Sequence, residues 1–260
     1  MVSRIGTTRV LILGGTTEAR LLAERLAGRA DLDVTLSLAG RTAAPARQAV
    51  PVRSGGFGGP AGLADYVARE HIDVLIDATH PYASGISANA SAAAQATGVR
   101  FVAVRRPPWV AVAGDRWTEV DNVGDAVRAL GQTPRRVLVA LGRNELAPLL
   151  QAPQHFYLIR SVDPVDPPLA LPQATYLIGR GPFVEADELA LMRAHGIEAV
   201  IAKNSGGVAT YGKMAAARTL NIAVIMLRRP PMPAAPSVAT VEEVIAWLDH
   251  ALTSAAVRGV

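Results

Sequence analysis

The chain repeats itself. Residues 137–150, VLVALGRNELAPLL, match residues 10–23, VLILGGTTEARLLA, at a shift of 127, which sets Gly142 against Gly15 and Glu145 against Glu18. HIDVLIDATH (71–80) aligns with GIEAVIAKNS (196–205) at a shift of 125, and VRFVAVRRPPW (99–109) with IAVIMLRRPPM (222–232) at a shift of 123. Shifts that shrink slowly in the same order indicate two copies of one multi-element unit with small deletions, not a solenoid of short repeats. Each copy alternates short apolar runs with helical patterns, the signature of α/β folds with a parallel sheet. The sequence therefore predicts two Rossmann-like, doubly wound parallel-sheet lobes, residues 1–108 and 109–260, with a cleft between them. The C-terminal segment is expected to pack back on the first lobe. Arg105-Arg106-Pro107-Pro108 and Arg228-Arg229-Pro230-Pro231 mark the strand ends where each lobe hands over to its neighbour, because tandem prolines cannot continue a ladder.

The first copy opens with a strand, a glycine turn and a helix. Val10 to Leu13 run into Gly14-Gly15, and leucines then recur at helical spacing at Leu21, Leu22 and Leu26. Such a turn lets backbone approach an anion closely, and the free amides and dipole of the following helix favour a phosphate, here over Gly14, Gly15, Thr16 and Thr17. The spacing departs from G-x-G-x-x-G, with threonines where later glycines would stand. Glu18 reads either as a cofactor-side residue or as the carboxylate of a helix capped at Gly15. Strand two, Asp33 to Leu38, ends in Ala39-Gly40-Arg41-Thr42. Arginine at this strand end suits the 2′-phosphate of NADP, so Arg41, with Ser37, Gly40 and Thr42, is expected to hold it. The glycine loop 55–59 follows, with Gly56 and Phe57 assigned to the cofactor, then a helix from Leu63 to Glu70 and a strand from Asp73 to Asp77. After Ala78-Thr79-His80-Pro81-Tyr82 come an alanine-rich helix to Thr97 and a strand from Arg100 to Val104. Tyr82 is read as a first-turn helix residue, His80 as a turn histidine or a functional one, and Asp77 as a turn or cap residue.

The copies differ where chemistry would differ. Gly14-Gly15-Thr16-Thr17 becomes Leu141-Gly142-Arg143-Asn144, and Ala147-Pro148 interrupts the helix start, so an arginine replaces the phosphate cradle. Ala78-Thr79-His80-Pro81-Tyr82 becomes Lys203-Asn204-Ser205-Gly206-Gly207, both at carboxyl ends of strands, where open α/β sheets bind ligands. One lobe is read as the cofactor lobe and the other as the substrate lobe.

Composition narrows the function. No apolar run approaches the roughly 18 residues that suggest a membrane span, and the N-terminus lacks a signal-peptide core, so a cytoplasmic protein is expected. Absence of cysteine excludes disulfides, thiolate nucleophiles and cysteine-ligated metal, and no metal site is expected. The net charge of +4 comes from scattered arginines, which points to an acidic small ligand and away from nucleic acid. A short-chain reductase would use Tyr-x-x-x-Lys, and none of the five tyrosines has a lysine four residues on. A two-lobed glycosyltransferase or a non-catalytic nucleotide module stays open, although Arg41 and the glycine turn suit a dinucleotide better.

With GGTTEAR at 14–20, GGFGG at 55–59, DATHPYA at 77–83, RSVDP at 160–164 and KNSGG at 203–207 in this order, the chain resembles the precorrin-6A reductases of corrin (vitamin B12) biosynthesis over almost its whole length. The resemblance implies NADPH-dependent reduction of one double bond of precorrin-6A to give precorrin-6B, without metal or flavin. The cobalt-precorrin-6A reductases of the anaerobic branch are similar, and the cobalt-free substrate is favoured slightly. The substrate is then an acidic tetrapyrrole-derived macrocycle whose acetate and propionate groups need Arg or Lys donors. Arg143, Arg160, Ser161, Lys203, Asn204, Ser205, Gly206 and Gly207 are expected to bind it. Arg180 and Lys213 are read as solvated surface charges, and Asp163 as a turn residue. The nicotinamide is expected near Thr79 to Tyr82, with Lys203, His80 and Tyr82 as candidate proton donors. A monomer or small homo-oligomer is expected.

Overall fold

In the computed structural model, which describes residues 7–40 and 47–258, the chain forms two six-stranded parallel sheets flanked by helices. The first copy supplies β1 (Thr8–Leu13), α1 (Thr17–Leu26), β2 (Leu32–Leu38), β3 (Val52–Ser54), α2 (Pro60–Arg69), β4 (Val74–Asp77), α3 (Ser84–Thr97), β5 (Arg100–Val104), β6 (Trp117–Val120) and α4 (Val123–Leu130). The second supplies β7 (Arg136–Ala140), β8 (Phe156–Ser161), β9 (Ala174–Ile178), α5 (Glu185–Ala194), β10 (Ala199–Lys203), α6 (Gly212–Thr219), β11 (Ala223–Leu227), β12 (Ser237–Val238) and α7 (Val241–Arg258). Two short 3₁₀ turns, Arg143–Glu145 and Ala147–Gln151, stand where the first copy has α1. Among the described residues no helix is long and apolar enough to cross a membrane.

The strand orders are β12-β5-β4-β1-β2-β3 and β6-β11-β10-β7-β8-β9. With the copies matched, these are the same order, and each sheet takes five strands from one copy and its edge strand from the other. The exchange uses equivalent bonds: Arg105 N donates to Val238 O at 2.7 Å, and Arg228 N to Val120 O at 2.8 Å. The chain accordingly divides into one compact unit containing residues up to Arg106 and those from Pro230, and a second spanning Pro107–Arg229. Both crossings fall between the second arginine and the first proline of an RRPP motif.

In the first unit β1 is apolar on both faces because both are covered. Val10 and Ile12 pack with Leu22 and Leu26 of α1 and Val244 and Leu248 of α7. Leu11 and Leu13 pack with Leu63 and Val67 of α2 and Ala90 and Ala93 of α3. Burial of Leu22 and Leu26, both at most 1% exposed, contributes about 2 kcal/mol each. Helix α2 starts at Pro60, three residues before the expected Leu63, because proline's fixed φ suits a first helical position. Its entry is tight: a Cβ on Gly62 would lie 1.8 Å from the Phe57 carbonyl oxygen.

In the second unit Leu138, Leu158, Val200 and Met226 pack with Met192 of α5 and Met214, Ala216 and Ala217 of α6. Helix α6 is buried from Gly212 through Ala217, and Lys213 lies among these residues. The expectation that Lys213 is a solvated surface charge is therefore overturned: small neighbours let α6 sit deep, and the lysine goes in with it.

Candidate active site

The first unit's site is built at the carboxyl ends of β1, β2 and β4. Gly14 N donates to Ser37 O and Ala78 N to Leu13 O, both at 2.9 Å, which aligns the three strand ends at the point where the sheet order reverses. Gly15 has φ of 111°, a conformation side chains disfavour, and a Cβ there would meet nothing within 4 Å. The cap of α1 is Thr16, not Gly15. A hydroxyl can accept where glycine cannot: Thr16 Oγ1 accepts from Ala19 N at 3.1 Å and donates to Ala78 O at 2.7 Å. Arg20 N takes the Thr16 carbonyl, so the amides of exposed Thr17 and of Glu18 are the helix's free donors among the described residues. Glu18 serves no cap either, because its carboxylate pairs with Arg106.

Beside this turn lies a pocket lined by Gly14, Ser37, Phe57, Thr79 and Asn89 together with the glycines of residues 55–59. At Gly56, Gly58 and Gly59 a Cβ would find nothing within 4 Å, so bare backbone faces open space. Arg53, which the sequence did not single out, shapes this wall. Its guanidinium donates to Gly55 O at 2.5 Å, Gly56 O at 2.7 Å and Ser37 Oγ at 3.3 Å, and lies 3.7 Å from the centre of the Phe57 ring. Gly40, at φ of 70°, ends β2's extension beside Gly55. Arg41 and Thr42 lie outside the described residues.

At the end of β4, Asp77 is fully buried and accepts from Arg105 Nη2 at 2.9 Å, Thr79 Oγ1 at 2.6 Å and Thr79 N at 3.1 Å. It anchors Arg105 and fixes the pocket residue Thr79, and so does more than cap a turn. His80 Nδ1 accepts from Tyr82 N at 3.3 Å, and the two rings are 5.6 Å apart. Tyr82 sits in the turn before Ser84, ahead of α3 rather than in its first turn.

The second unit closes the equivalent turn on itself. Gly142 N donates to Glu145 Oε2 at 3.2 Å, and Lys203 Nζ pairs with the same carboxylate oxygen. At the position that matches Gly15 the second copy thus ties its backbone N–H to its own glutamate. Arg143 is exposed on the 3₁₀ turn, and Arg180, 44% exposed, stands 3.8 Å from Asp163. Arg160 and Ser161 point inward. Arg160 is 9% exposed, makes two bonds to Glu188 and covers the Phe183 ring at 3.9 Å, while Ser161 Oγ donates to Asp163 O at 2.6 Å.

The loop after β10 is clasped by the crossing segments. Buried Asn204 bonds both the N–H and the carbonyl of Trp109, at 2.7 and 2.9 Å, and Trp109 Nε1 donates to Gly207 O at 2.9 Å. Arg229 Nε donates to Asn204 O at 2.8 Å, and Ser205 Oγ lies 3.4 Å from Thr210 Oγ1. Gly206 has φ of 66°, and a Cβ there would stand 2.2 Å from Pro107 O. Under the loop, Lys213 Nζ donates to Thr210 O at 2.6 Å and lies 5.0 Å from the Trp109 ring centre. Burial pushes Lys213 down to about 7, helped by Arg160 and opposed by Glu188. Among the described residues no cluster of side chains has the makings of a metal site.

Of the residues expected from sequence, the structure thus brings Gly14, Ser37, Gly56, Phe57 and Thr79 around one pocket, with Thr16 bonded to the β4 end. It groups Lys203 with Glu145 and Gly142, and sets Arg160 and Ser161 in the interior.

Comparison with known proteins agrees with this architecture. The family model described as Precorrin-6x reductase CbiJ/CobK matches residues 9–249. A relative from Sinorhizobium sp, named Precorrin-6A reductase, is 56% identical over 247 residues, covering 95% of both chains. The relative of the same name from Rhodobacter capsulatus is 50% identical, covering 95% of this chain and 98% of its own. A solved structure described as CobK precorrin-6A reductase superposes with a TM-score of 0.90 at 50% identity, covering 94% of this chain and 96% of that one. These matches set aside the glycosyltransferase and the nucleotide module: the chain belongs to the precorrin-6x reductase (CbiJ/CobK) family.

Proposed function

We propose that this chain reduces one double bond of precorrin-6A to give precorrin-6B, with NADPH as its cofactor. The nicotinamide, when bound, supplies the hydride; the chain binds and orients the partners and delivers the matching proton to the neighbouring carbon. The observation that carries the reading is the contrast at matched positions: open amides and bare glycines after β1, and a turn closed by its own Glu145 after β7. On this reading one pyrophosphate lies on Gly14 to Thr17, the ring end lies near Thr79 to Tyr82, and Arg41, with Ser37 and Thr42, meets the 2′-phosphate.

The second unit takes the macrocycle. Its carboxylates suit Arg143 and Lys203, and in the loop from Asn204 to Gly207 the amides of Gly206 and Gly207 supply backbone donors, those of Asn204 and Ser205 being bonded to Leu227 O and Lys203 O. Lys203 is an anchor that exchanges its bond with Glu145 for a substrate carboxylate. Arg160 and Ser161 support the site from the interior. His80 and Tyr82, beside Thr79, are placed on the nicotinamide side to hand on the proton. The name shared by the Sinorhizobium and Rhodobacter relatives favours the cobalt-free macrocycle.

The test is loss of reduced-nicotinamide absorbance with precorrin-6A, cobalt-precorrin-6A or no macrocycle. Oxidation with precorrin-6A and little with the others is expected. Faster oxidation with the cobalt form would move the chain to the other branch, and none with either would end the reading.

A further inference from the structure

Lys213 is the buried charge that the reading above leaves without a task. It is 5% exposed on α6, and its surroundings can be named from each side. Arg160 of β8 and Glu188 of α5 form an ion pair that is neutral as a whole, so the pair does not neutralise the lysine. On its own helix Arg218 is engaged by Asp115 and the Tyr211 hydroxyl, and Glu185 of α5 accepts from Thr219. What Lys213 does reach is one loop and the Trp109 ring that clasps it. Its ammonium holds the Thr210 carbonyl at 2.6 Å and stands under the indole of Trp109, whose Nε1 holds Gly207 and whose backbone is clasped by Asn204. Both flanks of residues 204–210 therefore rest on one buried side chain.

We infer that Lys213 is the positioning residue of the 204–210 loop, tying its two flanks from beneath and so setting the shape in which the loop meets the macrocycle. The inference rests on the reading that this loop belongs to the macrocycle site. The charge on the lysine matters to both ties: an ammonium donates a charge-assisted bond and attracts the ring face, while an amine keeps only a neutral donor. Because burial brings Lys213 to about 7, the strength of the clasp changes within the working range of pH.

The experiment is the pH profile, from 6 to 9, of kcat and of KM for precorrin-6A and for NADPH, in wild type, Lys213→Met, Lys213→Arg and Ser205→Ala. In wild type, KM for the macrocycle is expected to rise roughly three- to tenfold from the acid to the alkaline side, the loss of one charge-assisted contact, while KM for NADPH does not follow. Lys213→Met should show the high KM at every pH, and Lys213→Arg the low KM at every pH, because arginine keeps its charge. Packing alone would move thermal stability in these variants and leave the shape of the profile as in wild type; that result overturns the inference, and if Lys213→Met does not fold the arginine variant decides alone. Ser205→Ala separates the two levels. If it leaves KM for the macrocycle unchanged along with the lysine variants, the loop is not the macrocycle site; if it raises KM while the lysine variants keep the wild-type profile, only the role of Lys213 falls.

Discussion

The β1–α1 turn of the first unit and the β7 turn of the second descend from one pattern and have opposite chemistry. After β1 the chain enters a ten-residue helix capped by Thr16, and the amides of Thr17 and Glu18 at its start make no hydrogen bond among the described residues. After β7 it enters two 3₁₀ turns, and Glu145 takes the amide of Gly142 and the ammonium of Lys203. Ala147-Pro148 explains the change, since proline is tolerated only at a helix start and here forces a second start four residues late. The duplicated turn is thus closed from within in the second copy.

The RRPP motifs show the same divergence. In the first unit Arg105 secures Asp77 and Arg106 secures Glu18, so the two arginines brace the end of β4 and the start of α1. In the second, Arg229 holds the Asn204 and Pro107 carbonyls, while Arg228 sits on exposed Glu119 and Asp121. Arg228 is half-exposed, so water and salt screen both of its pairs.

Charge burial gives the widest contrast. Glu188→Gln removes the only carboxylate bonded to the buried Arg160 in the described structure and leaves the guanidinium without its counter-charge. It is expected to destabilise the protein by about 3–5 kcal/mol in urea unfolding, whereas Glu119→Gln at the exposed Arg228 pair should change almost nothing. Equal effects would mean that the Arg160 site relaxes or hydrates. Lys213 gives the next contrast, through pH. Its folded value near 7 lies below the ordinary 10.5, so between these the unfolded chain binds the extra proton and stability rises with pH. Below 7 the full penalty of a buried ammonium is present. Thermal melts of wild type should therefore gain relative to Lys213→Met from pH 7 to pH 10, and parallel curves would place the lysine in water.

The cofactor comparison comes next in size. A hydrogen bond to a charged group contributes roughly 1.5–3 kcal/mol, so Arg41→Ala should weaken NADPH by about 10- to 150-fold and leave NADH nearly untouched. Equal loss for both would give Arg41 a structural role. The smallest effect sharpens the two turns directly. Gly15→Ala forces a Cβ into φ of 111° and is expected to weaken NADPH by roughly 1–2 kcal/mol, while in the other unit Gly142→Ala, at φ of −71° and with its Cβ 3.0 Å from the Glu145 carboxylate, should leave NADPH binding within about 0.5 kcal/mol of wild type. Matched losses would erase the distinction between the copies.

Much of this is legible in the sequence because parallel strands covered on both faces are continuous apolar runs, and because the duplication lets one copy annotate the other. Val10 to Leu13 and Asp73 to Asp77 carry that signal. The exchanged strands β6 and β12 do not: four and two residues long, with exposed positions, they lack the pattern of a buried strand. The Thr16 cap escapes sequence reading since a glycine and a threonine are both acceptable caps, and only the bond to Ala78, 62 residues away, selects one. Lys213 reads wrongly because its burial follows from the apolar residues after it, Met214 and the small Ala215-Ala216-Ala217, which form a weak helix face in sequence and a deeply set helix in the fold. Arg53 gives no signal at all, as its role depends on carbonyls of a loop whose shape glycine leaves open.

The division of labour between the two copies is tested most directly by counting NADPH on the intact chain. Calorimetric titration of the wild-type protein should give one site per chain, and Gly15→Ala should weaken that site while Gly142→Ala leaves it in place. Two equivalent NADPH sites per chain, or a single site weakened by Gly142→Ala and not by Gly15→Ala, would contradict the assignment of cofactor to the first unit and macrocycle to the second.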